Sequence, residues 1–154
     1  MGVWNWKQIE MLANATLAKK SDDMNASRRQ AQAVGMQGKA EQAIAMLQKH
    51  VAQFPKDAKA LDMLAAFQII AGKPQDAIAS ADKAMQVDPK FQAARYNRAV
   101  ACVKIGKSEE GIRDLSIAIQ ANADLREVAQ EDPDFGSLKA NSRFKEALLP
   151  PKKE

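Results

Sequence analysis

Gly72-Lys73-Pro74-Gln75-Asp76-Ala77-Ile78 decides the fold, because the chain writes this phrase three times. Gly38-Lys39-Ala40-Glu41-Gln42-Ala43-Ile44 precedes it and Gly106-Lys107-Ser108-Glu109-Glu110-Gly111-Ile112 follows it, each thirty-four residues away. Pro55 and Pro89 keep the same spacing at the ends of the first two units. A fixed period of this length marks a stacked array of short helical units, each too small to bury its apolar face alone.

Working outward from the glycines, the units span 24–57, 58–91 and 92–125. Each opens with a stretch of apolar residues at the helical period. Gly-Lys then breaks it, since glycine is the usual residue just past a helix end. A second helical stretch follows and stops near a proline. Pro74 sits where a first helical turn tolerates it, its missing N–H having no partner there. In the second unit Leu61, Leu64, Ala65, Gln68 and Ile69 mark one face of the first helix, and Ala77, Ile78, Ala81, Ala84 and Met85 a face of the second. Alanines at three- and four-residue spacing let two helices approach closely. Val87-Asp88-Pro89 ends that unit, because a residue before proline disfavours the helical region and proline cannot extend the ladder.

The flanks read as helical too. Residues 3–20 are expected to form one helix, with Trp6, Ile9, Ala13 and Leu17 on one side and Trp4, Met11 and Ala15 on another. Residues 124–149 read as a helical cap, which a solenoid needs so that its last helices do not expose an apolar face. Asp124 and Glu127 make a capping-box pattern with aspartate as the cap. Asp132-Pro133 starts a short second helix with Phe135 and Leu138 inward, and Asn141 or Ser142 starts a third carrying Phe144, Ala147, Leu148 and Leu149. Residues 150–154 read as a frayed tail. The expected whole is one all-α domain over residues 1–150.

Composition agrees and narrows the function. The chain has 154 residues, 46% of them hydrophobic, enough for a core. Its 23 Lys and Arg against 19 Asp and Glu leave a net charge of +4, spread along the chain, which fits a solvated surface rather than a nucleic-acid footprint. Cys102 is the only cysteine, so no internal disulfide forms. The first twenty residues lack the order of a signal peptide, and Lys7 and Glu10 interrupt them too early for a membrane span. Asn14-Ala15-Thr16 matches a glycosylation sequon, but without a secretion signal it reads as chance, and a cytoplasmic location is expected.

These residues resemble the tetratricopeptide repeat family over about residues 24–125. The likeness rests on Gly72, Ala77, Ala84 and Pro89, on Gly106, Gly111 and Ala118, and on Gly38, Ala43 and Pro55. Departures stand beside it: Ser27, Leu61 and Arg95 replace the bulky aromatic usual early in the first helix, His50 fills a slot normally alanine, and Ala123 replaces the third proline. Asp132-Pro133-Asp134-Phe135 with Leu138 and Arg143-Phe144 resembles the end-of-group closing segment found after the last repeat in bacterial members.

The resemblance implies an α-solenoid of antiparallel helix pairs whose first helices line a concave groove that binds a protein or peptide partner. By position, the groove residues would be Asn25, Arg28, Arg29, Gln32 and Met36, then Lys59, Asp62, Met63, Ala66 and Ile70, then Tyr96, Asn97, Val100 and Lys104. Such a face suits an extended peptide or a helix with an apolar stripe and an acidic flank, and Met36 and Met63 offer adaptable contact surface. The two-carboxylate clamp by which some members hold chaperone C-termini is not expected. Arg28 fits it, but Gln32 only approximates the first asparagine, Met63 replaces the second, and Ala93 and Asn97 replace the last two bases. Arg28 and Arg29 could equally serve only to solvate a face.

No catalytic, cofactor or metal constellation is legible, and a non-enzymatic module is the expected class. Ala101 to Ser108 satisfies a relaxed phosphate-loop pattern, but a real one needs a strand before the glycine loop, and here the stretch reads as helix. His50 reads as a histidine packed against a neighbouring helix, and Cys102 as a buried, inert thiol. The acidic pairs Asp22-Asp23 and Glu109-Glu110 complement helix dipoles. Two other readings stay open: a homodimer through residues 3–20, and, ranked last, peripheral membrane attachment through Trp4, Trp6, Lys7, Lys19 and Lys20.

Overall fold

In the computed structural model, residues 5–150 are described, so Trp4 and most of the expected tail lie outside the described residues. Helices α1 (Trp6–Lys19), α2 (Met24–Met36), α3 (Ala40–Gln53), α4 (Ala58–Ile70), α5 (Pro74–Val87), α6 (Gln92–Lys104) and α7 (Ser108–Ala121) follow one another. The closing segment comprises α8 (Leu125–Glu131), a 3₁₀ turn (Pro133–Leu138) and α9 (Ser142–Ala147). No strand occurs among the described residues.

The thirty-four-residue register runs further than the Gly-Lys pairs reveal. Helices α3, α5 and α7 start at residues 40, 74 and 108, and α1 starts one period earlier, at residue 6; all four are 14 residues long. Helix α9 starts one period after α7, at Ser142. Residues 125–138, where a fourth first-type helix would run, are instead split by Pro133 into α8 and the 3₁₀ turn. Proline has no N–H to give and clashes with the preceding turn, so it breaks the ladder there.

The Gly-Lys junctions are helix stops of one kind. Gly72 is left-handed (φ +73), its N–H bonds to the Ile69 carbonyl at 3.0 Å, and the Lys73 N–H reaches back to the Gln68 carbonyl at 2.8 Å. These two bonds satisfy carbonyls that the helix end would orphan. Gly38 and Gly106 adopt the same conformation (φ +84 and +82). No other described residue has a positive φ.

Inner helices α2, α4 and α6 lie side by side, with α1, α3, α5 and α7 behind them, each packed against its chain neighbours. The seams are made of alanine: Ala31, Ala43, Ala65, Ala77, Ala81, Ala84 and Ala101 are all fully buried. One step is tighter still. A Cβ on Gly35 would stand 2.2 Å from the Phe67 ring, so any side chain there would force that buried ring to move.

Two departures from the family pattern compensate each other. His50 takes the slot of Ala84 and Ala118, while Ser27 takes the slot of Leu61 and Arg95. The small serine leaves room for the large ring, which is 2% exposed and hydrogen-bonded to Ser27 Oγ through Nδ1 at 3.0 Å. Volume is thus conserved while its position is exchanged across the helix pair.

At the C-terminal end Phe135 is wholly buried, and Leu138 and Phe144 are nearly so, against Tyr96, Val100, Ile112, Leu115 and Ile119. Two details differ from expectation. Asp124 does not cap α8: it is already helical (φ −64, ψ −25), so its side chain cannot fold back onto the first turn, and its own N–H donates to Asn122 Oδ1 instead. Leu149 is 63% exposed because α9 ends before it.

Candidate partner-binding surface

The fifth residue of each inner helix shows how the expected groove residues are used. Arg28, Asp62 and Tyr96 stand one period apart, and each ties its layer to the next. Arg28 donates to Asp57 Oδ2 at 2.6 Å, and Asp57 is the N-cap of α4, its Oδ1 accepting the Ala60 N–H at 3.2 Å. Asp62 accepts from Asn97 Nδ2 on α6 at 2.7 Å. Tyr96 Oη donates to Asp132 Oδ2 at 2.6 Å, and Asp132 caps the 3₁₀ turn.

These ties shift the acidities. Burial alone would raise Asp57, but hydrogen bonds from His50 Nε2 (2.9 Å), the Ala60 N–H and Arg28 outweigh it and hold the carboxyl below its usual value. Burial pushes Asp62 up to about 6, only partly offset by Asn97. The Tyr96 phenol is raised by burial and by the Asp132 and Asp134 charges.

The expected groove residues therefore divide. Tyr96 and Val100 are 9% and 3% exposed beneath the closing segment, with Tyr96 edge-on to Phe135 at 5.6 Å between ring centres. Lys104 is paired with Asp134 at 2.7 Å. Arg28 is committed to Asp57 and Asn25. Asn25 and Arg29 line a cleft with Ile9, Leu12, Ala13 and Thr16 of α1, at the N-terminal edge. Outside these pairs and that cleft, the inner residues with accessible surface are Gln32, Met36, Lys59, Met63, Ala66 and Ile70, beside the Asp62–Asn97 pair. Met36 and Ile70, one period apart, are 51% and 69% exposed.

Compared with known proteins, this architecture is familiar. A thermophilic tetratricopeptide protein of Thermus thermophilus, TTC0263, superposes with a TM-score of 0.79 at 15% identity, over 92% of this chain and 79% of that one. The fold is that of a tetratricopeptide repeat solenoid. MamA superposes with a TM-score of 0.76 at 14% identity, covering 94% of this chain and 85% of its own. YrrB, described as a tetratricopeptide protein with an unusual peptide-binding site, gives 0.68 at 18% identity, over 77% of this chain and 61% of that one. By sequence, no family profile and no curated protein matches the chain.

Within the repeat array the phosphate-loop resemblance dissolves. Ala101–Lys104 is the last turn of α6, not a strand, and the following Gly106-Lys107 turn faces carboxylates. Glu110 pairs with both Lys107 and Arg98, and Asp114 holds Arg98 and Arg95. Cys102 is fully buried, and burial pushes its thiol up to about 11, far from a reactive thiolate. Among the described residues no cluster of side chains could hold a metal ion, and no helix is long and apolar enough to cross a membrane.

Sequence position placed these residues on α2, α4 and α6 but gave none of the pairings they make. Tyr96 and Lys104 belong to the closing segment because a phenol and an ammonium meet Asp132 and Asp134, residues some thirty-six and thirty positions ahead. The aspartates following the last repeat were the available signal. The openness of Leu12 had its own: alignment of α1 with α3, α5 and α7, which its lack of a Gly-Lys pair conceals.

Proposed function

We propose that the chain is a non-enzymatic protein-binding module that holds a peptide or helix of a partner against its inner helices. The observation that carries this reading is the exposure of Met36 and Ile70. Both are large apolar side chains at equivalent places on adjacent inner helices, a position that costs solubility and that a structural role does not require. Met63 and Ala66, half-buried, lie seven and four residues before Ile70 on α4 and continue its face, and Lys59, exposed, adds a cation nearer the start of that helix. A partner segment with an apolar stripe and an acidic flank suits this surface. The peptide-binding site named for YrrB is a property of that protein and lends support only by likeness of fold.

The test pairs Met36→Glu with Ile70→Glu in affinity purification followed by mass spectrometry. Ile117→Glu, on α7 beside α9 and 40% exposed, serves as the control away from α2 and α4. Proteins captured by the wild type should be lost with the inner-face pair and retained with the control. Retention by both variants would remove the groove from consideration.

A further inference from the structure

The register shared by the outer helices exposes a seat at the N-terminal edge that no described residue fills. Leu12 of α1 corresponds to Met46, Ser80 and Asp114 of α3, α5 and α7. Ser80 and Asp114 are buried and Met46 is half-buried, but Leu12 is 70% exposed. Thr16 corresponds to His50, Ala84 and Ala118, which are 2%, 0% and 0% exposed, yet Thr16 is exposed. In α3, α5 and α7 the inner helix of the same unit covers this face. On α1 the same face borders a cleft of about 200 Å³, walled on the other side by Asp23, Asn25, Ala26 and Arg29 of the α2 end.

We infer that a second copy of this chain fills the seat, α1 against α1, about a two-fold axis. Two features select this occupant. First, the seat is built partly from Ile9 and Leu12 of α1, so an α1 from another molecule brings the same apolar residues to the face that lacks an apolar partner. Second, the cleft carries one carboxylate and one guanidinium, Asp23 and Arg29, neither in an ion pair among the described residues. A two-fold interface places residue i opposite j and j opposite i, so Asp23 of each copy meets Arg29 of the other, twice. At the C-terminal end α8, the 3₁₀ turn and α9 cover the last helix pair, and the cleft that remains there, of about 360 Å³, is edged by Ala147 and Leu149 of the closing segment itself. Because the proposed interface is self-complementary about a two-fold axis, assembly closes at two. This inference stands apart from the groove reading, which rests on Met36 and Ile70.

Sedimentation velocity over about 1 to 200 µM tests it. The full chain should pass from monomer to dimer within that range. Leu12→Glu, at an exposed position, should raise the midpoint at least about tenfold while leaving the helical circular dichroism unchanged. Arg29→Glu and Asp23→Lys should each abolish the homodimer, because each sets like charges opposite one another twice. An equimolar mixture of those two variants should restore a dimer of one copy of each, which a merely damaged fold cannot do. Wild type that stays monomeric throughout overturns the proposal, as does a dimer indifferent to Leu12→Glu or a mixture that fails to recover. A monomer whose melting temperature nevertheless falls with Leu12→Glu identifies residues ahead of Trp6 as the occupant and equally overturns it.

Discussion

At one end of this solenoid the last helix pair is roofed by Phe135, Leu138 and Phe144, all within 4% of full burial; at the other, Leu12 at an equally ordinary repeat position stands 70% exposed. The two ends share one register, and their helices start at equivalent places. What differs is whether something lies on top. Because each layer of a repeat protein contacts only its neighbours, an uncovered end layer lacks one whole interface term. The comparison teaches that the closing segment supplies at one end the interface term that the opposite edge lacks among the described residues.

The sharpest way to break this contrast is Phe135→Ala. Truncating a fully buried phenylalanine should cost about 3–5 kcal/mol, read from urea denaturation, and should strip Tyr96 of its edge-on ring partner. Leu12→Ala, measured at low concentration where the chain is monomeric, should change stability by no more than about 0.5 kcal/mol. Comparable losses for the two would show that the ends do not differ as described.

Asp57→Ala probes the layer tie next to the open end. It removes the α4 cap, worth about 0.5–2 kcal/mol. It also leaves the Arg28 guanidinium and the His50 ring without their shared acceptor, which costs about a further 1–3 kcal/mol. A total of about 3 kcal/mol is expected in thermal or urea unfolding. Asp132→Ala at the closed end removes a cap and a single phenol partner, so its cost should be smaller. The reverse order would mean that Arg28 draws little from Asp57.

Legibility in the sequence followed the same division. The helix pairs, their stops and their alanine seams were readable because each is a local rule repeated three times: Gly72 and its equivalents need φ above zero, and Ala77 and Ala81 must be small. The closing aromatics were readable as a cap because Asp132-Pro133 punctuates them. What escaped is pairwise. Nothing in the composition of 24–57 says that Ser27 and His50 exchange volumes, and nothing near Tyr96 says that its hydroxyl is taken by Asp132. Arg28, Asp62 and Tyr96 differ chemically, so their shared task of tying layers appears only when the distances are known.

Asp62 provides a titration between the two ends. Its folded pKa, about 6, lies above the ordinary carboxyl value of 3.8, so the folded state keeps the proton to higher pH than the unfolded chain. The contribution of this group to stability is therefore full below pH 3.8, declines as pH rises through 3.8 to 6, and stays at its lowest above that. Asp62→Asn retains an acceptor for Asn97 and removes the charge. It should stabilise the protein at pH 7 by at most about 3 kcal/mol, less where solvent reaches the group, and the gain should vanish below about pH 4. Melting curves across about pH 3.5–7.5 decide it, and a pH-independent gain would rule out the carboxyl as its source.

The smallest effects distinguish local from transmitted loss. Gly38→Ala and Gly106→Ala should each cost about 1–2 kcal/mol, since both glycines are left-handed and a Cβ meets strain there rather than any neighbour. Their consequences should nonetheless separate. Gly38 joins α2 to α3 beside the uncovered edge, so the strain can be relieved by opening α1 and α2 while the remaining layers persist. Gly106 joins α6 to α7 under the roof of the closing segment, where opening one helix exposes Phe135, Leu138 and Phe144 together. Native-state hydrogen exchange should therefore show faster exchange confined to α1 and α2 for Gly38→Ala. For Gly106→Ala the slowest-exchanging amides of α6 and α7 should lose protection in step with global stability. Identical exchange patterns would mean that the layers unfold as one cooperative block, and the difference between the ends would then be one of accessibility alone.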